Sequence, residues 1–377
     1  MSNSQMPGRA AANLVQRLRE CGDANERRQL EVQLAGVLAR LSRTQEARAL
    51  IVELRHANQA YEPRLSSWIM FTEGLVAHFE SLDLLRARDW FKRSYAIAVA
   101  IGDQQLRTIS AAWLADSELR SANLDSALTY LKIAFRDTDR TSHETRGRAC
   151  LVFADMMSWV GMPDESRIWY RKARDHAVAI GEIGMQSAIL FNSASFRVAE
   201  LVTQDCFGHV SGPVAKLLQL EVTSVSNLDQ GLGIKNLTSL VPVLSAELQT
   251  VLGDWESAVS TFDRFLGQLG IDGQERLAAK FIAHRAWCKV NLGLEREAVS
   301  DVDTALKRLE KCAELDDLAI VHARIQGVYE RTGDVALACN HREMAERCLT
   351  AHLDAQVSRR AAVQAALIEV TEKENPA

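Results

Sequence analysis

Charged and aromatic side chains recur four residues apart at several places in this sequence of 377 residues. Asp116 is followed by Arg120, and Asp155 by Trp159. On a helix, residues with this spacing lie on one face. Acidic and aromatic groups there could receive the basic and apolar side chains of a peptide, and arginines could meet its carboxylate. Asp116 with Arg120, and Asp155 with Trp159, are candidate binding residues of this kind. The alternative is that they are solvated residues in internal pairs such as Asp116–Arg120.

No arrangement of residues in the sequence predicts a catalytic centre. Nucleophile elbows, phosphate-binding loops and zinc-protease motifs are absent, and Gly231-Leu-Gly233 is a lone GxG with no preceding strand. Cys339, His341, Cys348 and His352 occur close together. One helix presents only two of these four to one point, so we interpret them as buried cysteines beside surface histidines rather than a zinc site. We therefore predict no enzyme activity, no cofactor and no metal.

Charge and hydropathy exclude several classes of partner. The formal net charge of −5 comes without blocks of like charge, so the sequence does not predict nucleic-acid binding. The first twenty residues lack the apolar core of a secretory signal, and no apolar run approaches the roughly 18 residues that span a bilayer. Seven cysteines without CxxC pairing indicate reduced thiols. These features predict a cytoplasmic protein.

The candidate residues lie within a sequence that repeats about every 40 residues. Small residues mark this period, and they are Ala47, Ala87, Ala127, Ser166, Ala258, Ala298 and Ala338. Six of the seven residues four positions after them are apolar, and those seven positions after them are mostly small. Glycine stands five positions before the last four of them, where a helix that ends in a left-handed residue needs it. Such a period is typical of stacked helix pairs, and it predicts about eight of them.

These columns resemble those of the tetratricopeptide repeat (TPR), with a longer period than usual. The resemblance is closest to the long-repeat arrays of bacterial regulators, namely MalT-like proteins, Rap-like peptide sensors and the sensor regions of some diguanylate cyclases. It implies an all-α, right-handed TPR-like superhelical solenoid with capping helices at its ends. It also implies that the first helix of each pair lines a concave groove that binds a partner. The groove-facing positions that it implies hold the candidate binding residues Asp116, Arg120, Asp155, Trp159, Glu247, Trp287, Arg324 and Arg331.

The predicted organisation has three parts. Residues 1–25 form an N-terminal arm or capping helix, and residues 26–352 form the repeat array. Within the array, residues 203–236 are irregular and indicate two loops. Residues 353–377 form a terminal helix, Leu353–Thr371, and a disordered tail. This helix either caps the last repeat or links the array to a partner.

We therefore expect a non-enzymatic protein- or peptide-binding scaffold or regulatory sensor that uses its concave groove. One alternative is the sensor half of a signalling system, such as a diguanylate cyclase-type regulator, that acts through its terminal helix. A peptide-responsive transcriptional regulator is less favoured, because residues 1–25 are too few for a helix-turn-helix domain. A homodimer formed through the C-terminal helix is a further expectation.

Overall fold

A computed structural model describes residues 8–58, 61–81, 83–139, 141–208, 212–234, 240–271, 274–312 and 314–374. All regular structure in these ranges is helical, and it divides into two compact units. Unit 1 comprises residues 1–189, 230–236 and 359–377, and unit 2 comprises residues 190–229 and 237–358. The described part of the chain contains no helix long and apolar enough to cross a membrane.

The helices follow one another in pairs, joined mostly by short turns. The first nine, all in unit 1, are α1 (Arg9–Glu20), α2 (Ala24–Arg40), α3 (Thr44–Ala57), α4 (Pro63–Ser81), α5 (Leu84–Ile101), α6 (Gln104–Arg120), α7 (Leu124–Arg136), α8 (His143–Trp159) and α9 (Pro163–Ile180). The others are α10 (Ile183–Phe207), α11 (Gly212–Leu232), α12 (Leu240–Leu252), α13 (Trp255–Ile271), α14 (Ala278–Asn291), α15 (Glu295–Arg308), α16 (Leu315–Thr332) and α17 (Val335–Glu374). Two short 3₁₀ turns, Glu275–Leu277 and Leu309–Lys311, flank α14 and α15. This arrangement confirms the all-α, TPR-like helical repeat fold.

The small residues that mark the sequence period are all buried in the structure. Each of the seven, from Ala47 to Ala338, is at most 3% exposed. Large apolar residues four positions later fill the space between the helices, as Phe91 and Phe262 do with no exposed surface. Arg342, the one polar member of that column, is exposed on α17. The apolar face predicted from the offsets of 0, 4 and 7 residues is therefore the core-facing side of the second helix in each pair.

The turns within the helix pairs use left-handed backbone conformations, as the glycine column predicts. Gly161, Gly253, Gly293 and Gly333 all have φ between 72° and 84°. In earlier repeats the same position holds Ser42 at φ 61° and Ala122 at φ 56°, where a β-carbon makes this conformation unfavourable. The left-handed turn thus recurs at this position of the repeat even where the residue is not glycine.

The irregular stretch contains less loop than its sequence indicates. Pro213 and Pro242 lie in the first turns of α11 and α12, as expected. The second loop, expected over residues 227–236, is wrong in its first half, because α11 continues to Leu232. Val222 and Val225 are buried on the preceding turns of α11, and the packing of this apolar face stabilises the longer helix. Residues 235–236 of that loop lie outside the described residues.

The chain ends differ from the sequence interpretation at the C-terminal side. The N-terminal helix expected at Arg9–Glu20 is α1, and it packs against α2, whereas residues 1–7 lie outside the described residues. The separate terminal helix expected at Leu353–Thr371 is part of one continuous helix, α17, that begins at Val335. Its last turns pack within unit 1, where Val363, Ala366 and Val370 are buried with residues of α7, α8 and α9. Residues 375–377 of the expected tail also lie outside the described residues.

Candidate functional site

In unit 2, Trp287 on α14 lies at the centre of one group of candidate residues. The tryptophan is half-buried, and its ring lies against Gly327 on α16. A β-carbon at Gly327 would come within 2.6 Å of the ring, so this glycine allows the close approach. The guanidinium of Arg331 lies 5.3 Å from the ring centroid, and that of Arg324 lies 5.8 Å from it. Trp255 meets the same ring edge-on, with centroids 6.3 Å apart.

Arg324 begins a chain of buried polar contacts beneath the tryptophan. Its guanidinium binds Asp205 at 2.5 Å and donates from Nε to Nδ1 of His284 at 3.2 Å. Because Nδ1 accepts this bond, the proton of a neutral His284 lies on Nε2. That nitrogen faces Oε1 of Glu247 at 3.5 Å. The imidazole thus lies between an arginine on α16 and a glutamate on α12, bonded to the first and 3.5 Å from the second.

Lys280 extends the network and balances its carboxylates. Its Nζ lies 3.3 Å from Glu247 and 2.9 Å from Asp317. Burial by itself raises the pKa of Glu247, but Lys280 and then His284 outweigh burial and hold that pKa below its ordinary value. Burial lowers the pKa of His284, and Arg324 and Lys280 lower it further despite Glu247. The candidate residues Glu247 and Arg324 are 2% and 4% exposed, so their charges are used within the fold.

In unit 1, the carboxylates predicted to face a ligand are also buried. Asp116 is 2% exposed and accepts a hydrogen bond from Nε of Arg120 at 3.1 Å. This is the internal i,i+4 pair expected as the alternative, but its carboxylate is buried rather than solvated. Burial raises the pKa of Asp116, but Arg120 and then His78 and Arg148 lower it below its usual range. Asp155 accepts a hydrogen bond from the hydroxyl of Tyr170.

Arg148 and His78 belong to the same cluster, and neither was among the predicted residues. The Arg148 guanidinium lies over the ring of Trp113, 3.6 Å from its centroid, and His78 meets that ring edge-on. Burial lowers the pKa of His78 to about 3 and that of Arg148 to about 10. A sequence signal for Arg148 did exist. It lies seven residues before Asp155 on α8, a spacing that places both on one face.

Trp159, the remaining candidate, contacts the end of α17. The guanidinium of Arg359 lies 4.3 Å from the centroid of its ring. The neighbouring Arg360 donates hydrogen bonds to the carbonyls of Val160 and Gly161, just past the end of α8. These carbonyls are where a helix presents unsatisfied acceptors, which a guanidinium satisfies well. The terminal helix therefore covers part of this face of α8.

The interpretation of the late cysteines and histidines needs correction. His341 is buried rather than on the surface, with its Nδ1 2.9 Å from Nδ1 of His322, whereas Cys339 is exposed. The second helix of the last pair turns its histidine inward, where Tyr329 stacks on the ring. No group of three or more His, Cys, Asp or Glu that could hold a metal ion occurs in the described part of the chain.

The eight candidate residues thus form two groups on the first helices of the pairs. Asp116 and Arg120 pair in unit 1, where Asp155 and Trp159 share α8, and Glu247, Trp287, Arg324 and Arg331 lie together in unit 2. Solvent reaches them unequally. Arg331 is exposed, Trp287 and Trp159 are half-buried, and 35% of the Arg120 side chain is accessible. These four are the candidates that a ligand could touch without rearrangement.

The fold defines a TPR-like helical repeat protein, and comparison with solved structures agrees. The chain resembles the crystal structure of a Rap protein complexed with Competence and Sporulation Factor, with a TM-score of 0.56 and 12% sequence identity. The match covers 93% of this chain and 98% of that one. A circular tandem repeat protein with novel repeat topology matches over 94% of this chain and 90% of its own, at 16% identity and a TM-score of 0.22, and adds no argument. No family model and no curated protein matches the sequence.

Proposed function

We propose that this chain is a non-enzymatic regulatory protein that binds a peptide or a protein segment on the first helices of its repeats. The observation that carries the proposal is Trp287, half-buried on Gly327 with the exposed guanidinium of Arg331 beside it. Aromatic and arginine side chains of this kind dominate binding energies at protein interfaces. The Rap protein of similar fold is complexed with a factor named for competence and sporulation, which supports a peptide ligand here.

The chemistry of this surface favours a particular kind of segment. The indole face and edge of Trp287 and Trp255 suit an apolar or aromatic side chain. Arg331 suits a carboxylate, because its guanidinium can donate two parallel hydrogen bonds. Glu247 and Arg324 contribute indirectly, because their buried network holds α12, α14 and α16 together under the surface. We further propose that the binding of a segment to this surface signals to an output partner.

Selection from a random peptide library on the purified chain tests the proposal. Peptides that bind are then measured against Trp287→Ala, Arg331→Ala and the control Arg342→Ala, whose side chain is exposed on α17 and pairs with Glu330. We expect at least about tenfold weaker binding for the first two variants and no change for the control, since interface anchors contribute about 2 kcal/mol or more. Failure to select any peptide, or equal affinity for all variants, would overturn the proposal.

A further inference from the structure

Arg148 is a buried cation that the protein leaves without an acceptor. Its side chain is 5% exposed, and Nε has no hydrogen-bond partner. In the described part of the chain no carboxylate oxygen lies within 4.0 Å of the guanidinium nitrogens. The guanidinium instead lies over the ring of Trp113. Native proteins satisfy nearly all buried polar groups, and a buried charge without a partner is costly. The Nε donor of Arg148 is therefore not used within the fold.

The neighbouring charges are engaged elsewhere and do not supply that acceptor. Asp116 accepts from Arg120, and Asp155 accepts from Tyr170. Arg40, a neighbouring cation, pairs with Glu182 at 2.6 Å and also lies 3.1 Å from Glu144.

The geometry of Arg148 is that of a preformed receptor. Trp113 is itself fully buried against Phe91, with the two rings stacked 5.5 Å apart, so the surface under the guanidinium is rigid. With one face on the indole, the guanidinium has its edge nitrogens left to bind. A guanidinium edge fits a carboxylate or phosphate with two parallel hydrogen bonds. Nδ1 of His78, which meets the same indole, is also buried without a partner and offers a second polar atom.

We propose that Arg148 is the receptor for an anionic group, a carboxylate or a phosphate, carried by a ligand of unit 1. Arg120 marks the side from which the group enters, because 35% of its side chain is accessible while Asp116 beneath it is buried. Burial is the main cause of the lowered pKa of Arg148, Arg40 and Arg120 lower that pKa further, and Asp116 and Asp155 raise it. The inference rests on the proposed function only in taking a bound peptide as the first source of the carboxylate.

The test observes Arg148 directly, with inorganic phosphate and acetate as the probes. The ¹⁵N–¹H signal of the Arg148 Nε group is assigned by its loss in Arg148→Lys, and each anion is titrated into the full chain. We expect a saturable shift of this signal and none for Arg171, an exposed arginine on α9. A signal unaffected by either anion would overturn the proposal.

A second arm separates the sources of the anion. Library-selected peptides are compared with free and with amidated C-termini, on the wild-type chain, Arg148→Met and the control Arg171→Met. If peptides with a free C-terminus bind Arg148→Met at least about tenfold more weakly than the wild type, and amidation removes this difference, the anion is a peptide carboxylate. Saturation by phosphate at much lower concentration than acetate, with peptide binding unchanged by Arg148→Met, assigns a phosphate-bearing ligand.

The outcomes distinguish this inference from the proposed function. If Trp287→Ala weakens peptide binding while Arg148 responds to no anion and Arg148→Met binds normally, the receptor is refuted and the proposed function stands. If no peptide can be selected but phosphate or acetate saturates the Arg148 signal, the proposed function fails and the anion receptor stands.

Discussion

Lys280 lies between two buried carboxylates, and its removal gives the sharpest test of the unit 2 network. Glu247 and Asp317 are 2% and 8% exposed, and Lys280 lies within 3.3 Å of both. In Lys280→Met the apolar stem is replaced by one of similar length, but both carboxylates lose their counter-charge. Breaking a buried pair in this way costs about 3–5 kcal/mol. We expect a loss of that size in the unfolding free energy of unit 2 at pH 7.5.

The sign of the pH dependence is a second, independent test. In the wild type the folded-state pKa of Glu247 is lowered, so its contribution to stability is present above the unfolded pKa and is lost as pH falls. In Lys280→Met burial remains without the lysine, so we expect the folded-state pKa to rise above the unfolded value. The penalty is then greatest at neutral pH and shrinks as the carboxyl becomes protonated. The variant should therefore lose less stability at pH 5.0 than at pH 7.5.

Hydrogen exchange of the α12, α14 and α16 amides, read by mass spectrometry, measures the effect locally rather than over both units. The matched control is Lys311→Met, because Lys311 pairs with Glu275 at 2.7 Å with nearly half of each side chain exposed. An exposed pair contributes far less to stability than a buried one, because solvent screens its charges. The reasoning is refuted if the two variants lose the same stability, or if acidification increases the loss in Lys280→Met.

Three further substitutions have definite expected outcomes. Ala122→Gly relieves a β-carbon at φ 56°, and since the strain of about 1–2 kcal/mol exceeds the added chain entropy, chemical denaturation should show unit 1 stabilised by roughly 0.5–1 kcal/mol. Gly327→Ala places a β-carbon 2.6 Å from the Trp287 ring, so we expect a loss of about 1–3 kcal/mol and altered tryptophan fluorescence. The pKa of His78 is lowered to about 3 by burial, so its contribution to stability falls as pH drops below about 6.5. Relative to the wild type, His78→Leu should therefore gain about 2–3 kcal/mol between pH 6 and pH 4, measured by hydrogen exchange, and a constant difference would contradict this.

The sequence predicted the scaffold well because the scaffold depends on local spacing. A small residue every 40 positions requires close helix packing wherever it occurs, and all seven of these residues are buried. The same reasoning predicted the left-handed turns at the four glycines, whereas those at Ser42 and Ala122 were not predicted because no glycine marks them. It failed at α17, where the apolar spacing stops while the helix does not. The absence of glycine and proline from Val335 to Glu374 was the stronger signal there.

The state of the candidate side chains could not be predicted in this way, because it depends on partners far along the chain. Arg324 pairs with Asp205, 119 residues before it, and Arg40 with Glu182, 142 residues after it. Spacing places a charged residue on the first helix of a pair, but only the packing of neighbouring helices decides whether its charge meets a ligand or an internal partner. Of the buried charges described above, all but Arg148 meet internal partners, as Glu247 and Asp116 do.

Whether a charged side chain has an internal partner therefore indicates more about ligand binding than the repeat pattern does. A ligand gains little from a carboxylate such as Asp116, because binding it would break the pair with Arg120 and leave a buried charge uncompensated. It gains most where an arginine is held in place with donors to spare. Arg331 is such a residue in unit 2, next to Trp287, and Arg148 is such a residue in unit 1, on Trp113. In both units an indole fixes the guanidinium, so the anionic groups of a ligand, more than its basic ones, should determine what this chain binds.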